Sequence, residues 1–212
     1  PERLSPQVWD LLGPLVKALD EYAYDYLTVM MPALFNYVSK DPQQFLAYTI
    51  NDVPAVAMLL QVTTACLVEV MWLLDLRERL SDVSRMNAQV AKKTVENDAH
   101  LEHDARAALR LIGIIVQSCQ NAIDMYIPGI VQLLMEKSAQ ISKELTLLTV
   151  LNVVMSLIHY NPMLTLQAFG PAMPTVFQTL VNHLQLLDSD LSQRLIVLSL
   201  SSLFLVSTEL LP

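Results

Sequence analysis

The chain has 212 residues, of which 53% are hydrophobic and 16% are charged, and it contains 4 glycines and 11 prolines. Soluble domains carry about 25% charged residues on average, so this chain is poor in charge. So few glycines argue against a sandwich, a barrel or a dinucleotide-binding unit, which need many tight turns. The net charge is −8, which argues against a general nucleic-acid binder and favours basic partners.

Apolar residues recur at helical spacing along the whole chain, and no segment shows convincing strand alternation. Turn and helix-cap signals stand between the apolar runs at Lys40-Asp41-Pro42, Asn51-Asp52, Asn161-Pro162, Gly170-Pro171 and Asp188-Ser189-Asp190. The spacing predicts helices over 6–20, 22–39, 53–75, 79–96, 98–121, 123–138, 142–160, 163–168, 172–186 and 190–207. The predicted fold class is therefore all-α.

The two cysteines, Cys66 and Cys119, lie in apolar helical runs. Two are too few for a disulfide framework, so we expect reduced core thiols in an intracellular protein. The first ten residues are polar and lack the basic region of a signal peptide. Because the chain neither starts with methionine nor ends in a tail, we expect it to be a piece of a longer protein.

A long charge-free stretch raises the question of a membrane span, because 145–187 contains no Asp, Glu, Lys or Arg. A spanning helix needs about 20 consecutive apolar residues. The best run, 145–158, is shorter and contains Asn152, and the following run is broken by Gly170-Pro171 and Pro174. We therefore predict buried core helices rather than membrane insertion, and a helix this apolar must be covered on more than one side.

An internal repeat is the most informative feature. Three octapeptides share the pattern apolar, Pro, any, aliphatic, apolar, amide, any, aliphatic, and they begin at Met31, Ile127 and Met173. Pro128 and Pro174 are 46 residues apart, and Pro32 precedes Pro128 by 96, close to two periods. HEAT and armadillo repeats recur at about 40–47 residues. The pattern predicts an α-solenoid of about four to five helix pairs, with each proline early in a second helix or at a mildly kinked inner turn.

The most polar stretch lies where the second helix of the second pair is expected. Over 77–97 the sequence is rich in Arg, Lys, Asp and Glu and lacks the repeat proline. The alternatives are a helix with little cover and a polar insertion between repeats. In both cases 1–212 is one helical-repeat segment.

Several segments resemble, in the same order, the C-terminal half of importin-β-like nuclear transport receptors (karyopherins) of the importin-seven/eight type. They are 26–38 around Met31-Pro32, 102–108 before an aliphatic helix, 121–128 at a corner, Tyr160-Asn161-Pro162 with the aliphatics after it, and 190–203. Together they cover most of 22–211, and their order is more specific than any one of them.

The resemblance implies a HEAT-repeat solenoid that shuttles between nucleus and cytoplasm and carries proteins through nuclear pores. It implies a concave face for cargo proteins and an outer face for phenylalanine-glycine nucleoporin repeats. It also implies that Ran GTPase binds an N-terminal region absent from this segment. The competing hypothesis is a helical-repeat scaffold subunit of another intracellular assembly.

Two acidic clusters are candidate sites for basic cargo. The first contains Glu96, Asp98, Glu102 and Asp104, with His100 and His103 among them, and the second contains Asp20, Glu21 and Asp25. A zinc site can be drawn from the first cluster, but structural zinc usually recruits cysteine or several convergent histidines. Alternatively, the carboxylates only form a solvent-exposed helix face and offset the dipole at the N-terminus of the helix. We expect no metal here.

Aromatic residues cluster near the second acidic segment: Tyr22, Tyr24, Tyr26, Phe35 and Tyr37. They are predicted mainly to fill the core, with any exposed subset available to nucleoporin phenylalanines.

Catalytic motifs are absent from the sequence: it has no glycine-rich phosphate loop, no G-x-S-x-G, no H-E-x-x-H and no C-x-x-C. We therefore predict a binding protein with no cofactor, and not an enzyme.

Overall fold

The computed structural model describes residues 4–83, 88–138 and 143–206, with the side chains of 22–25, 70–100, 137 and 138 left outside the description. The chain divides into two compact units, unit 1 (Pro1–Ile112) and unit 2 (Gly113–Pro212). Both are built almost wholly of helices, so the predicted all-α class is confirmed.

Unit 1 contains, in chain order, α1 (Pro6–Trp9), α2 (Leu12–Lys40), α3 (Pro42–Ala47), β1 (Thr49–Ile50), β2 (Val53–Pro54), α4 (Ala55–Val83) and the greater part of α5 (Ala88–Ser118). Unit 2 contains the end of α5, then α6 (Ile127–Ser138), α7 (Glu144–Tyr160), α8 (Pro162–Phe169), α9 (Met173–Asn182) and α10 (Asp190–Leu203). Short 3-10 turns occupy Asp124–Tyr126, Gly170–Ala172 and Leu184–Leu186.

Helix α1 covers the start of the first helix predicted over 6–20, and α2 covers the rest of it together with the helix predicted over 22–39. The predicted break between the two is wrong. The helix continues because one apolar stripe runs along nearly its whole length. Its buried members recur every three or four residues, or at multiples of that spacing: Leu12, Val16, Leu19, Leu27, Leu34 and Val38. The acidic residues at 20 and 21 are exposed and do not interrupt that stripe.

Helices α4 and α5 are also longer than predicted. Helix α4 continues to Val83 rather than ending near 75, and α5 joins much of 79–96 to 98–121. The sequence from 55 to 112 contains neither Gly nor Pro, so nothing in it forces a break. Residues 84–87 and the side chains of 77–97 lie outside the described part, so the polar insertion stays a prediction.

A two-residue turn at Asn51 and Asp52 separates β1 from β2. Both residues have positive φ, 51° and 65°, as the tight turn of a hairpin requires. The turn was predicted, but the strands were not, because two-residue strands are too short to show alternation.

Three of the predicted cap signals are confirmed as helix N-caps. The side chains of Asp41, Asn161 and Ser189 each accept a hydrogen bond from the backbone N–H three residues later, at 3.2, 3.1 and 3.2 Å. Each bond satisfies an N–H group that would otherwise lack a partner at the helix start.

The 46-residue period reappears in the helices of unit 2. Helices α6 and α9 begin at 127 and 173, and α7 and α10 begin at 144 and 190, so both offsets are 46. The 3-10 turns that precede α6 and α9 begin at 124 and 170, again 46 apart. Pro128 and Pro174 occupy the second position of their helices, as predicted. Pro32 instead lies inside α2, so the early helix position is wrong for it and the mild kink stays a prediction.

Helix α7 is the inner helix of unit 2. Leu151 and Met155 belong to one apolar cluster with Leu195 of α10. On another side Gln117 of α5 donates from its amide to the Ser156 hydroxyl at 2.9 Å. The helix buries ten residues: Thr146, Thr149, Val150, Leu151, Val153, Val154, Met155, Ser156, Leu157 and Ile158. Cover on more than one side was the prediction for this charge-free segment, and it is confirmed.

None of the helices in the described part of the chain combines the length and the hydropathy that a bilayer crossing requires.

Both cysteines are buried free thiols. Burial, together with the smaller effect of the carboxylates of Asp104 and Glu69, raises the pKa of the Cys66 thiol to about 12. Burial alone raises the pKa of Cys119 to about 11. Both side chains therefore stay protonated in the folded protein at neutral pH.

The apolar contact between α7 and α10 generates a stability prediction. Leu195→Ala removes a side chain that is 2% exposed, so we expect it to lower the free energy of unfolding by about 2–4 kcal/mol. Leu191→Ala is the control, because Leu191 lies one helical turn earlier and is 51% exposed. Its effect should stay within about 0.5 kcal/mol. Guanidinium unfolding followed by circular dichroism measures both, and equal losses would contradict the assigned faces of α10.

The raised pKa values predict slow thiol chemistry. At pH 8 both cysteines should react with iodoacetamide much more slowly in the folded protein than in urea, since the thiolate is the nucleophile. Because the folded pKa values lie above those of the unfolded chain, the linked stability is present at neutral pH. It is lost as pH rises from about 9 through about 11 for Cys119 and about 12 for Cys66. Labelling at the unfolded rate would contradict the burial.

Candidate functional site

A polar contact joins α2 to α5 in unit 1 and fixes the position of one predicted site residue. The Thr28 hydroxyl donates to Asp104 Oδ1 at 2.9 Å. Thr28 Oγ1 also lies 3.1 Å from His103 Nδ1. A threonine hydroxyl has one proton, and an ionised carboxylate only accepts. The imidazole must therefore donate from Nδ1 to Thr28, which leaves Nε2 of His103 for other partners.

The first predicted acidic cluster is thus partly used within the fold. Asp104 is half-buried and holds α5 against α2 through Thr28. Glu102 is half-buried and is not free of interactions within the fold. Its backbone carbonyl accepts a hydrogen bond from Arg106 Nε at 3.4 Å. These two carboxylates contribute negative charge to unit 1 from constrained positions.

The second predicted cluster is more open. Asp20 and Glu21 are both exposed on α2. Glu21 lies 3.9 Å from the Lys17 ammonium, an exposed ion pair of a kind that contributes ~0–1 kcal/mol. Such a pair exchanges readily with an incoming cation, so both carboxylates are accessible to a basic segment.

The remaining candidates lie outside the described side chains. Glu96 and Asp98 belong to α5, and Asp25 belongs to α2, but the contacts of their side chains are not described. The same holds for His100, which the zinc alternative requires. Among the described residues, no group of three or more His, Cys, Asp or Glu side chains is arranged to hold a metal ion.

A hollow between α2 and α5 was missed by the sequence reasoning. Its lining combines a basic side from α5 with a mostly apolar side from α2: His103, Arg106, Ala107, Arg110, Thr28, Met31 and Pro32. The available signal was the four-residue spacing of Arg106 and Arg110, which places both on one helix face. The sequence does not reveal that α2 faces them.

The aromatic residues divide as the sequence suggested. Tyr37 is buried, its hydroxyl donates to the backbone carbonyl of Val8, and its ring meets Trp9 edge-on at 5.3 Å between centroids. Tyr26 and Phe35 are 50% and 47% exposed. Tyr22 and Tyr24 lie outside the described side chains. Tyr37 therefore serves the core, and the exposed pair is available to a partner.

An apolar hollow lies in unit 2, where α6, α7 and α9 meet above Phe169 of α8. Its lining is almost wholly hydrocarbon: Leu134, Met135, Leu147, Val150, Leu151, Val154, Phe169, Thr175, Val176 and Thr179. Concave apolar sites of this kind bind aromatic side chains and small apolar groups. The hollow depends on four helices at once, so no local sequence pattern predicted it.

The curated relatives that match the chain include Importin-8 from three organisms. Importin-8 of Danio rerio is 30% identical over 162 residues, which is 76% of this chain and 13% of the relative. Importin-8 of Homo sapiens is 29% identical over 164 residues, and that of Mus musculus is 27% identical over 160 residues. The chain spans about 13% of the length of each of them. No family model and no solved structure matches the chain.

The Thr28 contact predicts a specific loss of stability. Thr28→Val keeps the shape of the side chain but removes the hydroxyl, which leaves Asp104 and His103 without their shared partner. The free energy of unfolding should therefore fall by about 1–2 kcal/mol. Thr28→Ser keeps the hydroxyl and should cost less. Urea unfolding compares the two variants, and a valine variant as stable as the serine variant would show that the contact does not hold α5 to α2.

Proposed function

Because the chain is related to a segment of the importin-β-like karyopherins, we propose that it is part of a nuclear import receptor that carries cargo through the nuclear pore. In this proposal the segment binds cargo proteins and nucleoporin repeats. The match to Importin-8 along about three quarters of the chain is the observation that carries the proposal. The predicted resemblance to importin-β-like karyopherins is confirmed by these relatives.

We assign other functions of the receptor to regions outside this segment. The segment spans about 13% of the length of each relative, and we place the contact with Ran GTPase outside it. The receptor would shuttle between nucleus and cytoplasm. We propose neither a catalytic activity nor a cofactor for this segment.

Basic cargo is the partner that the charges of unit 1 favour. Asp20 and Glu21 are exposed, Glu102 and Asp104 add negative charge from α5, and the sequence places Asp25, Glu96 and Asp98 on the same two helices. Carboxylates distributed along helices attract a basic segment over a Debye length and raise its association rate. Such binding should weaken steeply with salt.

The nucleoporin contact is supported by apolar surfaces. The hollow between α6, α7 and α9 is apolar and open, as a phenylalanine side chain requires. Tyr26 and Phe35 supply further exposed aromatic surface on α2. We propose the hollow of unit 2 as the stronger of these candidates because several helices shape it.

The cargo proposal is tested with a fluorescent lysine-rich peptide at low salt. Asp20→Asn should weaken binding by ~2–5-fold because an exposed carboxylate is lost from the attracting surface. Asp188→Asn removes the same charge from an exposed position in unit 2 and is the matched control. Equal weakening by both variants, or binding that salt does not change, would contradict a cargo surface on unit 1.

The nucleoporin proposal is tested by pulldown on immobilised phenylalanine-glycine repeats. The chain should be retained, and Val176→Glu should lose retention because it places a charge in the apolar hollow. Val181→Glu is the control, since Val181 lies on the same helix, is 59% exposed and does not line the hollow. Circular dichroism checks that both variants fold. No retention of the parent chain would favour the competing scaffold hypothesis.

A further inference from the structure

The basic hollow of unit 1 stands out because the chain as a whole carries a net charge of −8. Arg106 and Arg110 lie one helical turn apart on α5, and both line the hollow with His103. Arg106 Nε donates to the carbonyl of Glu102, which orients its guanidinium and leaves the terminal nitrogens available. Arg110 is exposed. Within the described residues neither arginine forms an ion pair.

The surroundings define where an anion would sit. The Asp104 carboxylate accepts a hydrogen bond from Thr28 at one end of the hollow, so that end is negative. The two arginines lie further along α5 in the C-terminal direction, and Met31 and Pro32 face them from α2. Apolar walls reduce the competition from water and strengthen a charged contact. The favourable position for an oxyanion is therefore beside Arg106 and Arg110.

We propose that this hollow binds one oxyanion side chain, a carboxylate or a phosphoryl group, of an otherwise basic peptide segment. Guanidinium groups recognise both groups through paired hydrogen bonds. A wholly acidic segment is disfavoured because the net charge of the chain repels it. A basic segment is attracted by Asp20 and Glu21, so the inference rests on the proposed cargo function and adds to it a requirement for one acid.

The geometry of α2 sets the spacing within that segment. Pro32, which faces the arginines, follows Glu21 by eleven residues, which corresponds to about 16 Å along a helix axis and returns to nearly the same face. An extended peptide covers that distance in about five residues. The predicted ligand therefore carries its acid about five residues from its basic residues.

The test is a cycle of two peptides and two proteins, measured by fluorescence anisotropy with the full chain at low salt. One peptide is lysine-rich with a single glutamate at that spacing, and the other has glutamine in its place. Long-range charge alone makes the glutamate peptide the weaker binder. We expect it instead to bind about 5–10-fold more tightly, and Arg110→Gln should bring the ratio of the two affinities to about one or below.

Two control variants sharpen the result. Arg194→Gln removes an exposed arginine from α10 of unit 2 and should leave the ratio unchanged. Arg110→Lys keeps the charge but not the planar fork, so an intermediate ratio supports paired hydrogen bonds. A phosphoserine peptide identifies the source of the oxyanion: tighter binding than glutamate indicates a phosphoryl ligand, and weaker binding indicates a carboxylate.

The inference and the proposed function fail in different ways. If the parent chain binds both peptides but does not prefer glutamate, or if Arg194→Gln lowers the ratio as much as Arg110→Gln, the oxyanion site is refuted and the cargo proposal stands. If neither peptide binds even at low salt, the cargo proposal fails and takes the inference with it.

Discussion

The described structure of unit 2 depends on one constraint: helix α7 needs packing neighbours on several sides. This helix buries residues around most of its circumference, so it is stable only with neighbours on several sides. Helix α10 supplies one side through Leu195, and the end of α5 supplies another through the contact of Gln117 with Ser156. The low charge of the segment follows from this, because a charged residue facing any neighbour would be buried without a partner.

The same requirement explains the repeat. Helix α10 begins 46 residues after α7, and α9 begins 46 residues after α6, so α6 and α7 each have a counterpart one period away. Helix α10 covers α7 with Leu195 while Leu191, Val197 and Leu200 remain exposed on it. A helical repeat buries apolar surface by stacking on the next one, which fits a fragment of a HEAT-like protein.

Apolar stacking leaves the polar positions of the helices free for partners. In unit 1 some carboxylates are used within the fold and others are not: Asp104 joins α5 to α2, while Asp20 and Glu21 remain exposed. The arginines of α5 then add a positive site beside a negative surface. Recognition in the proposal is therefore a pattern of both signs and not a general attraction to positive charge.

Local chemistry is what the sequence reveals reliably. Asp41, Asn161 and Ser189 were predicted as caps because a cap needs only its own first helical turn. The 46-residue period was visible because the positions of Pro128 and Pro174 repeat it. The unbroken course of α2 was missed because it depends on a stripe from Leu12 to Val38 that only packing makes decisive.

The site residues show the same division. Sequence reasoning identified the carboxylates as candidates, but it did not reveal that Asp104 is held by Thr28, 76 positions away in the chain. The basic hollow was missed for the same reason, since Arg106 and Arg110 become a site only when Met31 and Pro32 face them. The relationship to the karyopherins was predictable because it depends on the order of segments and not on contacts.

The most direct test of the account is carbodiimide cross-linking of a lysine-rich peptide to the full chain, mapped by mass spectrometry. The reagent joins a peptide amine to a carboxylate only where the two already meet. The account predicts that links concentrate on Asp20 and Glu21 of α2 and disappear at high salt. Links that fall equally or mainly on Asp188 and Asp190 of unit 2 would contradict it.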